Sequence, residues 1–238
     1  MIRLLVGILV FVINTIYRDR PYPRFYVLET VARVPYFSYL SVLHLYETLG
    51  LWRKADWLKV HFAESWNELH HLLIMESLGG DAFWGDQLLA KTTALIYYWI
   101  IVVLYFITPR SAYYFMELVE QHAYISYHKF LTANEAKLKL QPAPVVAIGY
   151  YRDGDLYMFD AFQTSHNPSE RRPKIENLYD VFVAIRDDEM EHVKTMQACQ
   201  NTNTQFSLNS SHTWEIKTED LTNSEVDFSS NIPEKAEI

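Results

Sequence analysis

The chain contains two Glu-x-x-His pairs, Glu68/His71 in NELHH and Glu189/His192 in DDEMEH, and no third. On a helix, positions i and i+3 share a face, so each pair aims a carboxylate and an imidazole the same way. One such pair is weak evidence, because surface helices carry them often. Two in one chain constrain the fold strongly once each has a carboxylate partner, since four helices must then converge on one point. Glu29 in FYVLETVA and Glu120 in YFMELVEQHAYISY supply those partners. Both sit among large apolar residues, where a charge is costly unless it is paired or bound to a metal. Glu117, one turn from Glu120, competes for the same role. The order Glu29, Glu68 with His71, Glu120, Glu189 with His192, one site per helix, is the ligand pattern of a ferritin-like di-iron or di-manganese bundle. The bland alternative is a set of surface or core-capped pairs that hold no metal.

At 238 residues, the chain is long enough for one domain with a sizeable core. Hydrophobic residues make up 50% and aromatics 15%, with 17 Tyr against 7 Gly, which favours an all-α protein over a turn-rich β-sandwich. The net charge is −8, and residues 201–238 account for much of it with seven acidic and two basic side chains. No basic run with interleaved aromatics suggests nucleic acid. The single Cys199 excludes an intramolecular disulfide and any cysteine-held cluster. Oxygen and nitrogen ligands remain, which suit iron or manganese.

Three regions follow along the chain. Residues 1–17 form an N-terminal membrane-associated segment, built on the apolar run LLVGILVFVINTI at 4–16. That run is short for a membrane span and lacks a small-x-small cleavage site after it. Residues 18–200 form the metal-bearing domain. Helices are predicted at about 24–49, bent at Pro35, and at 52–78, 83–107, 109–131 and 174–200. Residues 140–172 look irregular, with room for a short hairpin turning at Asp153-Gly154. Residues 201–238 hold 16 Asn, Ser or Thr and read as a disordered tail. Within the third helix, Thr92–Thr108 carries no charge over 17 residues. It spans a bilayer, lies in its surface or forms a core helix. Tyr97, Tyr98, Trp99 and Tyr105 favour the surface position, where amphipathic rings sit at the headgroup level.

RFYVLETVARVPYFSYL, HFAESWNELHHLLIMESLGG, TPRSAYYFMELVEQHA and RPKIENLYDVFVAIRDDEMEH closely resemble the alternative oxidase family, above all its plastid terminal oxidase branch. The resemblance covers about residues 18–200. It implies a monotopic di-iron quinol oxidase that oxidises plastoquinol and reduces oxygen to water. It implies iron ligands at Glu29, Glu68, His71, Glu120, Glu189 and His192, and a redox tyrosine at Tyr127. Leu28, His44, Tyr105 and Asp188 match further near-site positions of the plastid branch, and about 150–164 matches its insertion. A quinol entry near Arg24, Leu28, Ala123 and Ser126 follows, with a thylakoid or other photosynthetic membrane of a plastid or a bacterium as the location. The chain shows no long transit peptide, which fits a bacterial version or a chain lacking its targeting region. Homo-oligomerisation stays open.

The residues carry weaker readings beside these. Tyr127 can give an electron and a proton together, or simply be a buried tyrosine; the seven-residue step from Glu120 returns it to the same helix face. Asp188 and Asn67 adjoin ligand residues and can fix the histidine tautomers. His44 alone reads as a core histidine, and Arg24 serves a quinol headgroup or lipid phosphates. Rival functions are another membrane di-iron enzyme, such as a quinone-ring hydroxylase, and a non-enzymatic ferritin-like iron-binding protein. The apolar third helix argues against a soluble storage shell.

Overall fold

The computed structural model describes residues 2–51, 55–153 and 172–201. Every element among them is helical: α1 (Ile2–Ile16), α2 (Pro21–Ala32), α3 (Val34–Thr48), α4 (Ala55–Ser77), α5 (Trp84–Ile107), α6 (Pro109–Lys139), the one-turn α7 (Val145–Ile148), a π-helical turn (Gly149–Asp153) and α8 (Leu178–Gln200). The expected hairpin at Asp153-Gly154 and the expected tail both fall largely outside the described residues, as do residues 52–54.

Local chemistry sets the boundaries. The single bent helix expected over 24–49 is two helices, because Pro35 lacks an N–H and its ring collides with the carbonyl one turn back. The chain breaks at Arg33, and Pro35 becomes a first-turn residue of α3. α6 starts at Pro109, with the Thr108 side chain accepting from the Ser111 amide. It runs on to Lys139, past the expected end at Leu131, closing with Lys137 and Lys139 in its last turn. α8 starts at Leu178 and not at Lys174, because Asn177 and Asp180 form a capping box there. Gly79 ends α4 with a φ of 79°. A Cβ on the adjacent Gly80 would sit 2.8 Å from the Tyr22 carbonyl oxygen, so this glycine lets α2 approach the end of α4.

Two apolar cores result. One gathers Phe25, Tyr26, Met75, Tyr127 and Phe182; the other gathers Tyr36, Tyr39, Trp57, Tyr105, Tyr113 and Met196. α6 packs along α8, while α2 and α3 each pack on α4 and α5. Buried Asp86 of α5 accepts from Tyr17 (3.0 Å) and pairs with Arg20, tying the α1–α2 link to α5. Among the described residues, α5 is the one helix long and apolar enough to cross a membrane, yet only 17% of its apolar stretch is buried. Leu95, Trp99 and Ile107 of α5 are exposed, as are Leu4, Ile8 and Phe11 of α1.

Candidate metal centre

The expected donors stand on α2, α4, α6 and α8. These helices bring Glu29, Glu68 with His71, Glu120, and Glu189 with His192 into one cluster, each residue at most 1% exposed. Their donor atoms form two groups, each within 4.8 Å: Glu29, Glu68, His71 and Glu189, then Glu68, Glu120, Glu189 and His192. Glu68 and Glu189 belong to both. His71 Nδ1 lies 3.2 Å from Glu189 Oε1 and 3.7 Å from Glu29 Oε2; His192 Nδ1 lies 2.9 Å from Glu68 Oε1 and 3.6 Å from Glu189 Oε2. Both carboxylate oxygens of Glu68 and of Glu189, Glu29 Oε2, Glu120 Oε2 and His71 Nδ1 make no hydrogen bond. Buried polar atoms are otherwise almost always satisfied. Four carboxylates packed so closely repel one another, and two divalent cations offset their formal charge of −4. The donor set therefore fits a metal pair, with Glu68 and Glu189 common to both groups.

The electrostatics agree. Burial, then the neighbouring Glu189, pushes the Glu68 and Glu120 carboxyls well above their ordinary range. Burial opposes a charged His71, but Asp188, Glu189 and Glu29 outweigh it and raise that imidazole well above its ordinary value. Without metal the site would thus hold protons where cations belong.

The partners beyond the ligands are specific. Asp188 Oδ2 accepts from His71 Nε2 (3.1 Å), Asn67 Nδ2 (2.9 Å) and Tyr151 (2.9 Å). With Nε2 committed to Asp188, Nδ1 of His71 faces the cluster as a lone-pair donor. Asn67 also donates to Tyr150 (2.8 Å), whose ring stacks on His70; His70 belongs to neither donor group. The π-helical turn supplies Tyr150 and Tyr151. Tyr127 donates to Glu29 Oε1 and stacks on Phe25 with centroids 4.2 Å apart. Tyr36 donates to Glu120 Oε1 (2.6 Å). Glu117 stays outside, where its carboxylate accepts from Gln197 (3.0 Å) and Gln200 (2.7 Å).

Other expected residues fare unevenly. Arg24 donates to Ser126 (3.1 Å), which meets His122 Nε2 (3.2 Å), and all three line a cavity of about 450 Å³ between the α1–α2 link and α6. Burial, then Arg24, lowers the His122 pKa to about 4, so that imidazole is neutral. Leu28 and Ala123 do not line this cavity: Leu28 packs on the first core, and Ala123 is buried in α6. His44 is not brought to the centre and is not a core histidine either. It stands exposed on α3, its carbonyl accepting from Thr48. Tyr105 is fully buried in the second core, its hydroxyl meeting that of Tyr113 (2.6 Å). Tyr113 in turn meets His61 Nε2 (2.8 Å), and His61 Nδ1 meets Glu64 Oε2 (2.9 Å). The sequence reading missed Tyr36, Tyr151, His122 and this His61–Glu64–Tyr113 group. One signal was available: His61, Glu64, Glu68 and His71 step by three, four and three residues, a polar stripe on one face of α4.

A family model described as alternative oxidase matches residues 1–201. Ubiquinol oxidase 4, chloroplastic/chromoplastic, of Arabidopsis thaliana is 63% identical over 201 residues, covering 84% of this chain and 56% of that protein. Alternative oxidase 3, mitochondrial, of Glycine max is 32% identical over 70% of this chain and 45% of its own length. Ubiquinol oxidase, mitochondrial, of Mangifera indica is 30% identical over the same share of this chain and 46% of its own. The chain spans about half the length of the curated relatives it matches.

Proposed function

This chain belongs to the alternative oxidase family, and on that premise we propose that it is a membrane-bound di-iron oxidase that takes electrons from plastoquinol and reduces dioxygen to water. The observation that carries this reading is the pair of overlapping donor groups sharing Glu68 and Glu189. Their oxygen and nitrogen donors, with no thiolate, suit iron. Once bound by Glu29, Glu68, His71, Glu120, Glu189 and His192, two irons supply the redox capacity that side chains lack. Two quinols deliver the four electrons that turn one dioxygen into two waters.

The chain's own residues do the rest. Asp188 keeps His71 in one tautomer and orientation. Tyr127 lies between the carboxylates and the cavity: its hydroxyl is on Glu29 and its ring on Phe25, which the Arg24 guanidinium overlies at 5.9 Å. Arg24, Ser126 and His122 offer a donor-rich end of the cavity to a quinol oxygen. Tyr127 is placed to pass an electron and its hydroxyl proton together toward the centre. The exposed apolar faces of α1 and α5 support seating on one leaflet. The plastid relative supports a plastid membrane over the bacterial alternative.

Oxygen uptake by isolated membranes carrying the protein tests this, with plastoquinol and ubiquinol analogues compared. Uptake driven by either quinol supports the oxidase, and the faster one names the substrate. Oxygen atoms found in a hydroxylated quinone would move the reading to a ring hydroxylase, and iron uptake without quinol oxidation to a storage protein. Monotopic seating predicts release by detergent but not by high salt or carbonate. Protease cleavage from both sides of sealed membranes would instead require a spanning α5.

A further inference from the structure

The second core contains tyrosines that neither the ligand set nor Tyr127 uses. Tyr36 touches Glu120, and its ring meets Tyr39 at 6.4 Å and His61 at 6.4 Å. Tyr39 meets Tyr105 at 4.4 Å and Tyr113 at 5.1 Å. All four tyrosines are fully buried. Packed rings of this kind give an electron a continuous path from Tyr113 to the carboxylates.

A tyrosine in an apolar interior loses an electron readily only if a hydrogen-bonded base takes its proton at the same time, because the oxidised phenol is a far stronger acid than the phenol and its charge has no partner on the ring. The four hydroxyls differ in where a proton could go. Tyr39 donates to the Ala112 carbonyl (3.1 Å), which is not a base. Tyr105 meets only the Tyr113 hydroxyl among the hydrogen bonds described for it. Tyr36 faces Glu120, whose oxygens the metals need. Tyr113 meets an imidazole, His61 Nε2 at 2.8 Å. His61 in turn places Nδ1 against Glu64 Oε2 at 2.9 Å; with the ring hydrogen on Nδ1 donated to that oxygen, Nε2 offers its lone pair to the phenol. His61 is completely buried and Glu64 2% exposed. Burial lowers the His61 pKa to about 3, so the ring is a neutral base, and burial raises the Tyr113 phenol well above its ordinary value, so it keeps its proton until oxidised.

We propose that Tyr113 is a second redox-active tyrosine, discharging the oxidised metal centre when no quinol is bound, with His61 as its proton acceptor and Glu64 orienting that histidine. The inference rests on the di-iron oxidase reading above. One electron moves from the Tyr113 ring through Tyr39 and Tyr36 to the centre, and the hydroxyl proton moves from Tyr113 Oη to His61 Nε2, leaving a neutral tyrosyl radical. Quinol arriving later returns one electron along the same rings while His61 returns the proton. The quinol's second electron goes to the centre, and its two protons go to solvent. The geometry thus gives an oxidase a way to keep a stranded oxidising equivalent off its own ligands.

The test is freeze-quench electron paramagnetic resonance on the iron-loaded full chain, reduced without quinol, mixed with dioxygen, and assayed for iron in the same samples. The expected result is a tyrosyl signal that narrows with ring-deuterated tyrosine, survives Tyr127→Phe, and is lost in Tyr113→Phe at unchanged iron content. His61→Gln should remove the imidazole nitrogen coupling from that signal. If Tyr113→Phe does not fold, 3,5-difluorotyrosine at position 113 must add fluorine couplings instead. A signal that survives Tyr113→Phe, one that depends on Tyr127 alone, or no tyrosyl signal from a protein that holds iron and consumes oxygen would overturn the proposal. A chain that binds no iron pair would sink the underlying reading first, and this inference with it.

Discussion

The two sides of the carboxylate cluster are walled differently. On the His71 side, Asp188 collects hydrogen bonds from His71, Asn67 and Tyr151, so α4 and the π-helical turn meet α8 at one carboxylate oxygen. On the Glu120 side the wall is aromatic: Tyr36 donates to Glu120, and behind it lie Tyr39, Tyr105, Tyr113 and the His61–Glu64 pair. Similar ligand motifs therefore sit in dissimilar surroundings. The inner donors follow from the repeated Glu-x-x-His spacing, whereas the outer partners are whatever the packing of α2, α3, α5 and the π-helical turn brings near. One wall is suited to fixing an imidazole, the other to carrying electrons.

Breaking the cluster itself should have the largest effect. Glu120→Ala removes a proposed ligand and is expected to abolish quinol oxidation, while Glu117→Ala, three residues away and held by Gln197 and Gln200, should keep most of it. Equal losses in oxygen uptake would contradict the assignment. Next comes the junction between cavity and cluster. Tyr127→Phe should retain iron and lose almost all quinol oxidation, with a stability loss of no more than about 1–3 kcal/mol for one unpaired partner. Near-normal oxygen uptake with full iron would show that this tyrosine only packs.

The His71 wall can be tested more gently. Asp188→Asn keeps the shape but weakens the acceptor for His71 Nε2. Outer partners of this kind typically change metal affinity or activity by about 10–100-fold, so iron affinity should fall within that range. An unchanged affinity would mean that Asp188 serves the fold alone.

The smallest effect is a slope with pH in the metal-free chain. Burial raises Glu64 from 4.5 to about 8, so the folded chain holds a proton there that the unfolded chain has lost. More protons bound when folded means that stability falls as pH rises through that window. The raised Glu68 and Glu120 act in the same direction. So does His71: its contribution is present below 6.5 and is lost as pH rises through its higher folded value. Below 6.5 the depressed His61 and His122 act the other way, so denaturant melts of the metal-free protein should weaken between about pH 6.5 and pH 8, and Glu64→Gln should remove part of that slope, on the order of 2 kcal/mol at most. A stability that rises over this range would refute the buried-acid account.

The six clustered donors could be read from sequence because their logic is local: helical spacing, and a charge out of place among apolar neighbours. The helix order could be read for the same reason. What could not be read depends on packing at a distance. Tyr36, Tyr113 and Tyr151 are three among 17 tyrosines, and nothing local separates a tyrosine on a carboxylate from one that fills space. His44 failed in the opposite sense, since its helix turns it outward. The break at Arg33 followed from Pro35 and was expected only as a bend. The polar stripe His61, Glu64, Glu68, His71 was legible but was overshadowed by the pair at its end.

The central claim is that these six residues hold two irons. The most direct measurement is metal content and Mössbauer spectra of the purified, iron-reconstituted chain, with Glu120→Ala and Glu117→Ala alongside. The account predicts two irons per chain in a coupled pair, with iron reduced in Glu120→Ala and kept in Glu117→Ala. A single ion, zinc in place of iron, or equal iron in the two variants would contradict it.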